Sequence, residues 1–349
     1  MKKCLCILLV LMLTPFAALG ETLTLSFIGD CSIGEAIQNK GQENGYTWML
    51  DQKGMDWPFS LLYDYLAADD FTFANLEVVL TNRTRHTDKV FPLVAETRYA
   101  EALLHSGIDA VNTVNNHCFD YYVEGYQDTI ATLDALPFQH FGSVYVGGKY
   151  QQDVLLEAEV KGLKIGALGF TYPQDSDIKL IEQRINTLRA SGCELIVVSL
   201  HWGQETHATQ NSWQMKFARK VIDLGADIIW GHHPHVLQPV QFYNGGLILY
   251  STGNFTFGTM SSTVDRDTGI FQVTVDTRED GVHLTQLKVI PCTTTGSGDY
   301  RPYEFTDEAD RARVFKKLIY TRDTANMQNL PASFAENGVV TIENGMPVE

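Results

Sequence analysis

Three histidines within four positions, His232, His233 and His235, follow the apolar run 226–230 and the turn residue Gly231. Imidazole is the commonest protein ligand for a transition metal. Histidines at i and i+2 leaving a strand can turn two ring nitrogens toward one point. Other ligand-type side chains stand at the ends of other apolar runs. Asp30 follows 22–28, Asn75 and Glu77 follow 71–74, Asn116 and His117 follow 108–114, and His201 follows 195–200. In open α/β sheets ligands bind outside the carboxyl ends of the strands, and that rule gathers these distant residues into one crevice.

Carboxylate, amide and imidazole together suit Mn²⁺, Fe²⁺ or Zn²⁺ better than Ca²⁺ or Mg²⁺, which prefer all-oxygen shells. The thiolates of a structural zinc site are missing. The set exceeds what one tetrahedral ion needs and fits two ions sharing a carboxylate, about 3.5–4 Å apart. Such a pair lowers the pKa of a water between them and holds an anionic oxygen on each side of an in-line attack. Each piece alone has a plainer explanation. Gly29-Asp30 reads as a turn, Asn75-Leu76-Glu77 as a strand end with a solvated carboxylate, and His201 beside Trp202 as a core histidine. The joint appearance carries the inference. Around the set, Asp120 either orients His117 or caps a helix N-terminus. Glu205 faces either the crevice or solvent. Asn75 and Asn254 are the candidates to contact substrate, Asn254 alternatively bracing a ligand loop. Arg83, Arg85 and Lys89 read as a solvated loop or, alternatively, as cations that greet an anionic substrate, and Cys118 reads as a small buried residue.

The elements that must position these residues alternate in period. Strands are predicted at 22–28, 71–74, 108–114, 164–170, 195–200 and 227–230, and helices at 58–68, 98–106, 123–136, 178–190 and 213–224. Later strands at 247–250, 270–275 and 282–290 have no helices between them, which predicts a second, largely antiparallel sheet packed on the first. A peripheral helix is expected at 307–320. The simplest architecture is one domain of two packed sheets flanked by helices.

The 349 residues carry a net charge of −16, with 44% hydrophobic and 19% charged residues. That is a full-cored globular composition. The charge excludes a nucleic-acid binder, which needs a basic face. An acidic surface also repels anionic substrates unless bound cations offset it locally. Lys2 and Lys3 ahead of an apolar stretch, then Ala18-Leu19-Gly20, read as a secretory signal over 1–20, cut before Glu21. An uncleaved anchor is the alternative. Cleavage takes the charge to −18 and leaves Cys31, Cys118, Cys193 and Cys292, too few for a disulfide scaffold.

Gly29-Asp30, Asn75-Leu76-Glu77, Asn115-Asn116-His117 with Asp120, His201-Trp202-Gly203, the stretch 231–239 and Tyr250-Ser251-Thr252-Gly253-Asn254-Phe255 occur in this order. In that order they resemble the CapA family of bacterial capsule, or poly-γ-glutamate, synthesis proteins, over about residues 22–260. That family looks like a branch of the calcineurin-like metallophosphoesterases. The resemblance implies a four-layer α/β/β/α fold of two packed mixed sheets flanked by helices over 21–305, with 306–349 a C-terminal helical extension. It also implies a dinuclear metal centre: Asp30 and His235 on the first ion, Asn116, His201 and His233 on the second, Glu77 near both, and His117 near the leaving group. Two positions depart from the superfamily pattern, Ser32 standing for a His and Glu77 for an Asp. The implied activity is metal-dependent hydrolysis of a phosphoester or of an amide in an anionic polymer. The alternative is a non-catalytic component that grips such a polymer. Either fits an exported protein, periplasmic, cell-surface or secreted, working with a membrane-associated capsule-synthesis complex.

Overall fold

In a computed structural model the chain is described for residues 20–146, 149–259, 265–294, 298–322 and 327–348. The expected signal lies outside the described residues except for Gly20. The first half runs β1 (Thr22–Ser32), β2 (Glu35–Ala36), α1 (Tyr46–Lys53), α2 (Tyr63–Ala68), β3 (Phe71–Leu76), β4 (Val79–Leu80), β5 (Leu93–Ala95), α3 (Glu101–Leu104), β6 (Ala110–Asn112), α4 (Tyr122–Asp134), β7 (Gln139–Val146) and β8 (Lys149–Val154). The middle runs β9 (Leu156–Val160), β10 (Leu163–Thr171), α5 (Ile178–Ala190), β11 (Leu195–His201), α6 (Ser212–Asp223), β12 (Ile228–His232), β13 (Val240–Tyr243), β14 (Gly246–Leu249) and β15 (Asn254–Phe257). It closes with β16 (Asp267–Arg278), β17 (Gly281–Thr294), β18 (Pro302–Glu304), α7 (Glu308–Leu318), β19 (Gln328–Asn329), α8 (Phe334–Asn337), β20 (Val339–Glu343) and β21 (Met346–Val348).

Two large mixed sheets pack face to face. One follows the order β21-β20-β17-β16-β1-β3-β6-β7-β8, and the other β19-β13-β14-β12-β11-β10-β9. Within them β1, β3, β6 and β7 are mutually parallel, as are β10, β11, β12 and β14. Side chains alternate between strand faces, and here both faces are covered. Phe27, Phe73, Val197 and Trp230 point between the sheets. Their neighbours Ile28 and Ala74 meet Leu50, Leu66 and Leu103 of α1, α2 and α3. Val198 and Ile229 meet Ile181 and Ile185 of α5 and Phe217 and Val221 of α6. The layers are helix, sheet, sheet, helix, the sandwich expected. Burial on both faces is why these strands read as continuous apolar runs.

Two expectations need correction. The late strands do not build a sheet of their own: β14 joins the second sheet in parallel with β12, while the hairpin β16–β17 pairs antiparallel with β1 and widens the first. Nor is 306–349 a helical extension. β20 pairs with β17 in the first sheet and β19 with β13 in the second. Val314, Phe315 and Leu318 of α7 enter the core between the sheets. Cys31, Cys118, Cys193 and Cys292 are all buried and unpaired. Among the described residues no helix is long and apolar enough to cross a membrane.

Candidate metal centre

The parallel strands of both sheets end on the same side, and the candidate residues sit there. Asp30, two residues before the end of β1, lies beside Asn75 of β3, in register across the sheet. Glu77 follows β3, Asn116 and His117 follow β6, His201 ends β11 and His232 ends β12. Close backbone approach fixes these ends. A Cβ on Gly231 would lie 2.1 Å from the Tyr250 carbonyl oxygen, and one on Gly29 2.0 Å from that of Gly253. His233 and His235 hold φ of 94° and 57°, a left-handed backbone that costs a non-glycine residue energy and clusters at functional sites.

Glu77 is the centre of the cluster. It is wholly buried, and neither carboxylate oxygen has a hydrogen-bond partner. Its Oε1 lies 3.9 Å from His117 Nε2, 3.9 Å from His201 Nε2 and 3.7 Å from His235 Nε2. Asp30, also wholly buried, accepts the Asn75 amide at 2.8 Å. It lies 3.2 Å from His232 Nδ1 and 3.3 Å from His235 Nδ1. One ligand atom from each of Asp30, Glu77 and His235 falls within 4.8 Å of the others, and the same holds for Glu205, His233 and His235.

The electrostatics follow from burial and mutual charge. Burial, then the charge of Asp30, pushes Glu77 well above the usual carboxyl range. Burial opposes ionisation of Asp30 too, but hydrogen bonds and charge from His232 and His235 outweigh it and hold Asp30 well below normal. Burial drives His201 and His232 down, and lowers His233 to about 4, so these rings are neutral and free to ligate. Burial also works against a charge on His235, yet Glu77 and Asp30 overcome it and raise this ring to about 10. A buried carboxylate whose two oxygens have no hydrogen-bond partner, set among imidazoles, fits a divalent cation, whose charge reverses the local balance. The donor set is the mixed nitrogen–oxygen type that borderline metals take.

The structure brings Asp30, Glu77, Asn116, His117, His201, His233 and His235 to one centre. Asn116 Oδ1 meets His201 Nε2 at 2.9 Å. Asp120 does not cap α4, whose N-cap is Tyr121. It accepts His117 Nδ1 at 2.5 Å, the Leu93 amide at 2.7 Å and Lys89 Nζ at 2.7 Å. His117 therefore turns Nε2 toward the cleft. Asn254 Oδ1 meets His235 Nδ1 at 2.9 Å and also lines the cleft. Asn75 departs from its expected place at the substrate. It is wholly buried, donating to Asp30 while its Oδ1 accepts from Asn112 at 2.8 Å. Two residues escaped the sequence reading, and a third was placed differently. Asn112 extends the Asp30–Asn75 chain and is signalled only as a polar residue in an apolar strand. Tyr172, just past β10, reaches His233 Nε2 with its hydroxyl at 3.1 Å, and the strand-end rule applied to β10 finds it. Lys89, expected in a solvated loop, is clamped on Asp120 and on the Asn116 carbonyl. A cleft of about 600 Å³ opens over the cluster, lined by Lys89, Phe91, Asn116, His117, Glu205 and His235 among others.

Comparison with known proteins finds relatives along most of the chain. The chain is 28% identical over 329 residues to the capsule biosynthesis protein CapA of Bacillus anthracis, covering 88% of this chain and 74% of that one. It is 30% identical over 267 residues to the PGA biosynthesis protein CapA of Bacillus subtilis (strain 168), covering 72% and 67%. A crystal structure of a hypothetical protein from Thermus thermophilus aligns at a TM-score of 0.48 and 16% identity, over 77% of this chain and 98% of the other. Residues 24–259 match the family of the bacterial capsule synthesis protein PGA_cap, a span that holds every residue of the cluster, and this chain belongs to that family.

Proposed function

We propose that this protein is an exported, metal-dependent hydrolase acting in the synthesis or export of an anionic capsule polymer, poly-γ-glutamate in the reading that its resemblance suggests, its relatives being named for capsule and PGA biosynthesis. The observation that carries the reading is Glu77, a buried carboxylate with both oxygens unpartnered inside a ring of three imidazoles. Asp30, Glu77, Asn116, His201, His233 and His235 are the residues that would hold the metal. When bound, two divalent cations of the Mn, Fe or Zn class supply Lewis acidity and a water activated at neutral pH.

The chain's own groups do the rest. Asn75 and His232 hold the Asp30 carboxylate in place. Asn254 holds His235. Asp120 commits His117 Nδ1, which leaves Nε2 to deliver a proton to the leaving atom of a phosphoester or amide. Lys89 keeps the Asp120 loop closed against the cleft. A membrane-associated capsule-synthesis complex is the working partner in this reading.

Ser32 favours a second reading. Its hydroxyl is buried without a partner where the superfamily places an imidazole. A site one ligand poorer can grip carboxylates of a growing polymer without turnover. Metal-loaded protein tested on an aryl phosphate and on poly-γ-glutamate separates the two. Product from either, lost in His117→Ala with metal retained, establishes the hydrolase. Polymer binding without product establishes the gripping component.

A further inference from the structure

Glu205 lies four residues beyond His201, exposed, on the lining of the cleft. A carboxylate there repels the anionic substrate that the cleft is read to accept. Among the described residues, Lys89 is the one Lys or Arg on the lining, and its ammonium is spent on Asp120 and the Asn116 carbonyl. No other Lys or Arg of the described cleft wall answers Glu205.

Imidazoles stand beside it instead. Glu205, His233 and His235 each place one ligand atom within 4.8 Å of the other two. His233 is 5% exposed, and its Nδ1 is buried with no hydrogen-bond partner, while its Nε2 meets the Tyr172 hydroxyl. The loop carrying Glu205 is fastened to the loop carrying the imidazoles. Trp202 N donates to the His232 carbonyl at 3.0 Å, Thr206 N to the Pro234 carbonyl at 2.8 Å, and Gln238 Nε2 to the His207 carbonyl at 2.7 Å. His235 is shared with the deeper group of Asp30 and Glu77. One ring nitrogen serves one ion, so His235 stays with those two carboxylates, and Glu205 is the carboxylate left for an ion at His233.

We propose that Glu205 is a direct ligand of the cation on the His233 side, making it a solvent-facing, exchangeable divalent ion distinct from the deep ion held by Asp30, Glu77 and His235. Few protein ligands and an open face are the marks of a site that admits substrate rather than of a closed structural one. Imidazole with carboxylate selects Mn²⁺, Co²⁺ or Zn²⁺ over Ca²⁺. The ion also cancels the charge of Glu205 at the entrance, so an anionic oxygen can approach. This inference rests on the cleft being a metal centre, and the test keeps the two apart.

The test is Co²⁺ titration of wild type, Glu205→Gln, Glu205→Asp and Glu205→His, read by equilibrium dialysis and by the visible absorption of the bound ion. Glu205 is exposed, so these variants keep the fold, and circular dichroism verifies that. Wild type is expected to bind a tight and a weaker ion. In Glu205→Gln the weaker ion loses affinity at least about tenfold and its absorption bands change, while the tight ion is unaltered. Glu205→Asp or Glu205→His restores the weaker ion, which a merely electrostatic carboxylate would not explain for His. Unchanged binding of both ions in Glu205→Gln overturns the assignment and leaves the metal centre standing. Loss of both ions together overturns the claim of two separate positions. No ion in wild type removes the metal centre itself, and this inference with it.

Discussion

Two buried acidic clusters in this protein are built in opposite ways. Asp267, on β16, is met by Arg313 Nε and Nη2, both at 2.9 Å, and by Lys317 Nζ at 2.6 Å, all from α7. Burial opposes its charge, but those cations prevail and hold its carboxyl below the usual range. Glu77 is as deeply buried and meets no Lys or Arg among the described residues, and its carboxyl moves the other way. A carboxylate that the chain neutralises itself serves the fold. A carboxylate that meets no Lys or Arg and no hydrogen-bond donor, with imidazoles around it, is suited to a charge that arrives from outside.

That contrast is open to attack at several points. The largest effect is expected for Glu77→Gln. Ion retention after dialysis should fall at least about 100-fold, the upper end of what even an outer-shell partner costs. Asp267→Asn should keep its metal, as elemental analysis would read. Equal loss in both variants would erase the distinction. Next comes stability in metal-free buffer, read by urea unfolding. Asp267→Asn should lose about 2–3 kcal/mol, less than a fully buried broken pair because Arg313 is partly exposed. Glu77→Gln should lose less than Asp267→Asn, because burial outweighs what the nearby His235 returns to that carboxylate. A third effect lies in the pH profile of the metal-free protein. The folded Asp267 carboxyl is depressed, so its contribution is present above the unfolded value of about 4 and lost as pH falls through the folded one. The folded His235 ring is raised to about 10, so its contribution is complete below about 6.5 and lost as pH climbs toward the folded value. Asp267→Asn should flatten the acid limb and His235→Gln the alkaline limb; exchange of the two limbs would refute the assignment. The smallest effect is expected for Asn254→Ala. One hydrogen bond to a ligand ring is worth about 1 kcal/mol, so Co²⁺ affinity should drop about fivefold.

Much of this was legible in the chain. Two-sided burial leaves continuous apolar runs, and parallel topology puts their carboxyl ends at one edge, so Asp30, Glu77, Asn116, His201, His233 and His235 could be gathered without any tertiary information. Which sheet a strand joins was not legible. β14 is a four-residue apolar run and β16 a twelve-residue strand, and neither carries a local mark of the sheet it joins. The strands β19 to β21 escaped because two to five residues give no periodicity to read. Asp120 was left between two roles because both need the same residue three beyond His117; only the contacts with Leu93 and Lys89 separate them. Asn75 misled because a strand-end amide looks alike whether it faces a cleft or braces a neighbour.

The chain's closing stretch lies beyond the family-matched span, yet it reaches both halves of the sandwich. β20 zips onto one sheet and β19 onto the other, and Ile319, at the end of α7, bridges to Val240 of β13. Asp30 belongs to the first sheet, and His233 and His235 follow a strand of the second. The tail therefore ties the two sheets to each other: trimming it should shift Asp30 relative to His233 and His235 without changing any of the three.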